Sequence, residues 1–157
     1  MKLSFKKSVF LFALFIFTVS PAFAQELTFN FAGWNTWFRD GALKASVNRN
    51  TVTFNGTVTT EGYVRESLPT SYRNRVITFT VDVGDSVFDN QRMFKLTVNR
   101  NDRLLRPNNV PDLIEDEYVP AYENVVEITL PNDFDGKLGF VFYRAQLRDL
   151  KITATYR

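Results

Sequence analysis

The chain has 157 residues, 19 Lys+Arg against 17 Asp+Glu, and neither Cys nor His. Without His there is no usual general base, no usual zinc or copper ligand and no Ser-His or Cys-His nucleophile pair. Without Cys no disulfide braces the fold, so an exported protein of this sequence is held by its core alone.

Lys2, Lys6 and Lys7 form a positive head, and Val9 to Val19 is an apolar run relieved only by Thr18. Ser20-Pro21 breaks the run, and Ala22-Phe23-Ala24 ends on the small-x-small pattern that a signal peptidase cuts after. This order predicts a secretory signal over residues 1–24 and a working domain over 25–157, secreted to the periplasm or the exterior. The run is too short for a stable membrane anchor, so no membrane insertion is expected after cleavage. Removing the signal takes away three lysines and no acid, leaving 16 basic against 17 acidic residues. A surface so near neutrality gives no electrostatic case for nucleic acid as a partner.

From there the chain alternates with period two. Leu27, Phe29 and Phe31 open one strand. Trp34-Asn35-Thr36-Trp37-Phe38-Arg39-Asp40 follows as the densest aromatic cluster, in what reads as the loop leaving that strand. Val52, Phe54 and Val58 form an apolar face opposite Thr51, Thr53, Asn55 and Thr57. Asn55-Gly56 reads as a bulge or turn and Glu61-Gly62 as a turn. Ile77 to Val83, Phe94 to Val98, Val126 to Leu130, Leu138 to Phe142 and Leu150 to Tyr156 give further half-buried strands. Residues 107–122 carry three prolines and four acids and read as one long surface loop, with room for a single helical turn from Tyr118. No window shows a helical stripe. Eight or nine short antiparallel strands make a single all-β domain, a two-sheet antiparallel β-sandwich of jelly-roll topology.

Candidate binding residues come from the same pass. Trp34 and Trp37, with Asn35 and Arg39, combine flat indoles with planar polar groups, the chemistry that stacks on a sugar ring and takes its hydroxyls. The competing role for either Trp is a plug at the end of the core. Tyr63 and Arg65 fall opposite Val64, and Tyr143 and Arg144 end another strand; on neighbouring strands these four line one face. The acids of residues 112–117 match no EF-hand spacing. No strand carries the paired carboxylates of a glycosidase.

With the strands placed, the chain resembles the galactose-binding-like jelly rolls that serve as carbohydrate-binding modules beside glycoside hydrolases. The likeness rests on Asn30-Phe31-Ala32-Gly33-Trp34, on Leu68-Pro69-Thr70-Ser71-Tyr72 before Val76 to Thr80, and on Leu147-Arg148-Asp149-Leu150-Lys151-Ile152. It implies a glycan or polysaccharide ligand on a concave sheet and no catalytic residue. It also implies a structural calcium ion near the first and last strands. Those modules often carry a glutamate after the first-strand Phe; here that residue is Ala32, which leaves Asp149 and an amide oxygen of Asn30 for the metal. A secreted structural or adhesin-like interaction protein is the alternative, and a His-free glycan-active enzyme using Tyr143 or an acid is a third reading.

Overall fold

The computed structural model describes residues 25–26, 30–38 and 41–157, with side chains from residue 43 on except those of Tyr63, Arg65 and Glu66. The expected signal, residues 1–24, lies outside them. The described strands are β1 Gln25–Glu26, β2 Asn30–Phe38, β3 Gly41–Asn48, β4 Thr51–Ser67, β5 Val76–Asp82, β6 Val87–Phe88, β7 Arg92–Val98, β8 Arg103–Leu105, β9 Val119–Pro120, β10 Val125–Thr129 and β11 Lys137–Tyr156. Two single-turn 3-10 helices, Thr70–Tyr72 and Asp89–Gln91, interrupt them. Every described strand pairing is antiparallel, so the protein is all-β.

Two long strands form the spine. β11 pairs with β4 from Lys137 opposite Ser67 to Thr153 opposite Thr51. On the far side of β4, β3 lies along its first half and β2 along its second. On the far side of β11, β7, β6 and β5 pair in succession, with β10 outside β5 and both β8 and β9 on β7.

The sequence reading splits each spine strand in two, and the structure joins them. Glu61-Gly62 is not a turn: Gly62 is buried within β4, opposite Phe142. Its bare Cα suits the place, because a Cβ there would meet the Val58 side chain at 2.8 Å. In β11 the buried residues are Leu138, Phe140 and Phe142, then Ala145 and Leu147, then Leu150, Ile152 and Ala154. The period of two slips twice, once on either side of Leu147. Each slip is a β-bulge, where Arg144 (φ 42°) and Asp149 (φ 55°) take left-handed backbone conformations. The bulges compensate, since Phe142 to Leu150 and Gly62 to Phe54 cover equal lengths of chain.

The bulges let the sheet fold on itself. Phe54 pairs with Leu150, eight residues along β11 from Phe142, a separation of roughly 26 Å in a straight strand at about 3.3 Å per residue. Yet the Phe54 and Phe142 ring centroids are 5.3 Å apart. Phe140 in turn meets Phe54 at 6.1 Å, Phe79 at 5.5 Å and Phe94 at 5.4 Å, the latter two edge-on. Residues from both ends of the spine thus share one core, closed by Ile77, Met93, Leu96, Ile128 and Phe134.

The second bulge is held by side chains. The Asp149 amide donates to Asn55 Oδ1 at 2.9 Å, and Asn55 Nδ2 donates to Asp149 Oδ1 at 3.4 Å. Ser86 Oγ accepts from the Arg148 amide at 2.9 Å and lies 3.2 Å from the Arg148 carbonyl. Gly84 (φ +55°) fits beneath, where a Cβ would sit 2.5 Å from that carbonyl.

Residues 107–122 depart from the expected solvated loop. Asn109 caps the open edge of β10, its Nδ2 donating to Val125 O at 2.9 Å and its Oδ1 accepting from Glu127 N at 2.7 Å. Val110, Tyr118 and Val119 are buried. Tyr118 starts no helical turn; Val119–Pro120 pairs with β7 instead. The apolar residues in this stretch outweigh its acids.

Phe140→Ala should cost about 3–5 kcal/mol, because a ring touching three others leaves a cavity that neighbouring strands cannot collapse into. Urea unfolding checks this, and a loss below about 1 kcal/mol would show that Phe140 does not join the two ends of the spine.

Candidate functional site

The register brings most of the expected binding positions together. Trp37 pairs with Tyr63, Tyr63 with Val141 and Val141 with Lys95, one row across β2, β4, β11 and β7. The next such row runs Asn35, Arg65, Gly139, Thr97. Tyr143 stands opposite Glu61, adjoining the first row. Trp34 also lies within β2, so the tryptophans sit in an edge strand and not in the expected loop. The side chains of Asn30, Trp34, Asn35, Trp37, Tyr63 and Arg65 lie outside the described residues, and so does Arg39 altogether.

Tyr143 is already engaged. Arg92 Cζ stands 4.7 Å and Arg144 Cζ 5.2 Å from its ring centroid, and the Tyr118 ring is 6.1 Å away. Two guanidinium groups over one ring suit cation–π attraction and leave that ring little room to stack on a ligand. Arg92 also pairs with Glu115, tying the 107–118 segment to β7, and Arg106 pairs with Glu117. Tyr118, at the end of this segment, is buried, with Lys95 Nζ 5.0 Å from its ring centroid. Burial, and secondarily the nearby Glu61 carboxylate, push its phenol well above the ordinary tyrosine value.

Arg144 leads to an opening among the described residues. A groove of about 590 Å³ lies over the first bulge, lined by Thr57, Val58 and Thr59 of β4, Arg144, Ala145 and Gln146 of β11, and Val87 to Asn90. Its volume is within the range of small-ligand clefts, roughly 300–1,000 Å³. Val58 and Ala145 are buried beneath it, while Val87 is 61% exposed on its rim. Arg144 Nη1 is 3.9 Å from Asp89 Oδ2, a loose pair with both side chains reaching water. Among the described residues, the side chains of Thr57, Thr59, Asn90 and Gln146 make no hydrogen bond within the protein. Three left-handed residues that are not glycine border the groove: Asn90 (φ 50°), Gln91 (φ 62°) and Arg144 (φ 42°). Each costs on the order of 1–3 kcal/mol, which the surrounding structure must offset, and such strain gathers at functional sites.

Apart from Arg144, the sequence reading passes over the groove residues. The signal for them is the phase slip between Phe142 and Ala145, which marks a bulge.

The metal positions are apart in register. Asn30 lies opposite Ser67 at one end of β4, whereas Asp149 stands beside Asn55 towards the other. The Asp149 carboxylate accepts from Asn55 and offers a cation one acidic group, where calcium takes about six to eight oxygens. Among the described residues no three His, Cys, Asp or Glu side chains gather as a cage. These residues do not fit a calcium ion.

The Tyr118 phenol keeps its proton in the folded state above the pH, near 10, at which the unfolded chain releases it. The folded state then binds more protons, so stability falls as pH rises beyond about 10. Tyr118→Phe should flatten that fall, measured by urea unfolding at pH values from about 9 to about 11; identical alkaline slopes in both proteins would contradict the burial of this hydroxyl. No family model, curated protein or solved structure matches the chain.

Proposed function

We propose that the protein is a secreted, non-catalytic glycan-binding β-sandwich of jelly-roll type that works alone. The single observation supporting this reading most is the register of β2 on β4. It sets Trp37 against Tyr63 and Asn35 against Arg65 in successive like-facing rows of one sheet. Aromatic rings beside an amide and a guanidinium suit a pyranose, whose C–H face is apolar and whose rim is polar. If a stacked ring removes roughly 100 Å² of apolar surface, it contributes about 2.5 kcal/mol at about 25 cal/mol per Å². Two rings bring the affinity to about the millimolar range, a useful scale for holding a polymer at several points. The N-terminal charge and hydropathy pattern supports export, and the resemblance to carbohydrate-binding jelly rolls supports the ligand class.

Affinity electrophoresis through gels containing soluble polysaccharides, with tryptophan fluorescence in parallel, tests the reading. At least one polysaccharide should retard the protein and shift its emission. Trp37→Ala and Tyr63→Ala should each weaken retention by well over tenfold while far-UV circular dichroism stays unchanged. If no glycan retards the protein and only protein partners do, it is an interaction protein of the adhesin kind instead.

A further inference from the structure

We infer that the groove over the first bulge is a second binding subsite, built to take the vicinal hydroxyls of an uncharged sugar. The inference rests on the glycan-binding reading above and adds a site and a substrate class to it. It arises from the groove's inventory, which is independent of the aromatic rows.

The lining offers every kind of hydrogen-bonding group in pairs. Asn90 and Gln146 carry planar amides, each with donors and an acceptor; Thr57 and Thr59 carry hydroxyls; Asp89 accepts and Arg144 donates. The Asp89 and Arg144 head groups are 3.9 Å apart, too far for a direct hydrogen bond and near enough to be bridged. Two adjacent sugar hydroxyls meet this arrangement well: one donates to the carboxylate while its neighbour accepts from the guanidinium. The amides and hydroxyls have no partner within the described protein to give up first. Val87, exposed on the rim, and Phe88 present apolar surface to the C–H side of the ring.

Charge decides the class of sugar. Asp89 and Arg144 offset one another, and among the described residues no other ionisable side chain lines the groove. A uronate or sulfated unit would set its anion against Asp89 with a single, already neutralised cation in reach. An uncharged pyranoside avoids this.

Backbone conformation supplies the cleanest variants. Asn90 and Arg144 have left-handed φ, which glycine adopts without strain, so Asn90→Gly and Arg144→Gly remove the polar head and ease the backbone. Asp89→Asn removes the charge and keeps the shape. Binding of uncharged oligosaccharides (cello-, xylo-, manno- and galacto-series) and of oligogalacturonate would be measured by titration calorimetry, with thermal unfolding as the check on folding. An uncharged oligosaccharide should bind the unmodified protein more tightly than oligogalacturonate. Asp89→Asn and Asn90→Gly should each weaken it about tenfold without lowering the unfolding temperature.

If Trp37→Ala and Tyr63→Ala abolish binding while all three groove variants bind normally, glycan binding stands and the second subsite is refuted. If oligogalacturonate binds better than every uncharged sugar, the class is wrong. If the unmodified protein binds no sugar at all, the underlying reading fails and the subsite with it. Loss confined to the groove variants supports the subsite and removes the aromatic rows.

Discussion

The compensating pair of bulges on the β4–β11 spine is the constraint on which the rest of the structure depends. Side chains in a strand alternate with period two, so one uncompensated extra residue turns every later apolar side chain away from the core. The slip at Arg144 does this to β11, and the slip at Asp149 reverses it within a few residues. Both ends of β11 therefore direct their apolar residues into the same interior. The bend between them brings Phe54 against Phe142 although each belongs to a different end. A straight spine would leave a wide sheet with one face uncovered, and no α-helix is present among the described residues to cover it.

A chain with 0 Cys must hold that bend without covalent help. The means are local and mostly polar. Asn55 and Asp149 bridge the spine at the second bulge, and Ser86 and Gly84 support it from the β5–β6 connection. Asn109 occupies the free edge of β10 with one amide, doing for two backbone groups what a neighbouring strand would do. Arg103 holds Asp133 bidentately at 2.7 and 3.0 Å and keeps its carboxyl below the usual range. That pair is exposed to solvent, so it orders two turns more than it stabilises the fold. The larger share comes from the phenylalanine cluster, whose burial removes several rings from water.

How much of this is legible in sequence follows from what alternation encodes. Period-two runs mark which residues face inward, and Val52, Phe54, Ile77, Phe79, Phe140 and Ile152 are buried as that rule requires. Alternation does not encode where one strand ends. A bulge and a turn both interrupt the period, so Glu61-Gly62 and the stretch from Tyr143 to Asp149 read as breaks between strands. Phase across the gap distinguishes them: Ala145 and Leu147 are still apolar and still spaced by two. The 107–122 segment misleads for a different reason. Its acids and prolines mark exposure on average, while Tyr118 and Val119 are placed by contact with β7 and β11, which are remote in sequence. Register, too, is a long-range property, and only pairing reveals that Trp37 lies opposite Tyr63 in the β2–β4 ladder while Asn30 and Asp149 lie towards opposite ends of β4.

Left-handed residues other than glycine separate the structural bulge from the one that forms a groove. At Asp149 the strained backbone is accounted for, since the side chain closes a bridge to Asn55 that holds the bend. Asn99 likewise uses its side chain to bind the Asp133–Asp135 turn. Around the first bulge the accounting differs. Asn90 takes the same conformation with its amide unbonded among the described residues, and Arg144 reaches Asp89 only at 3.9 Å. Glycine would hold both backbones at lower cost. The Asn90 amide, carried on a strained backbone and unbonded among the described residues, contributes little to holding the bend. The bend that closes the core thus also displays a set of unbonded polar groups beside exposed Val87, an arrangement that packing does not explain and that the proposed ligand recognition would.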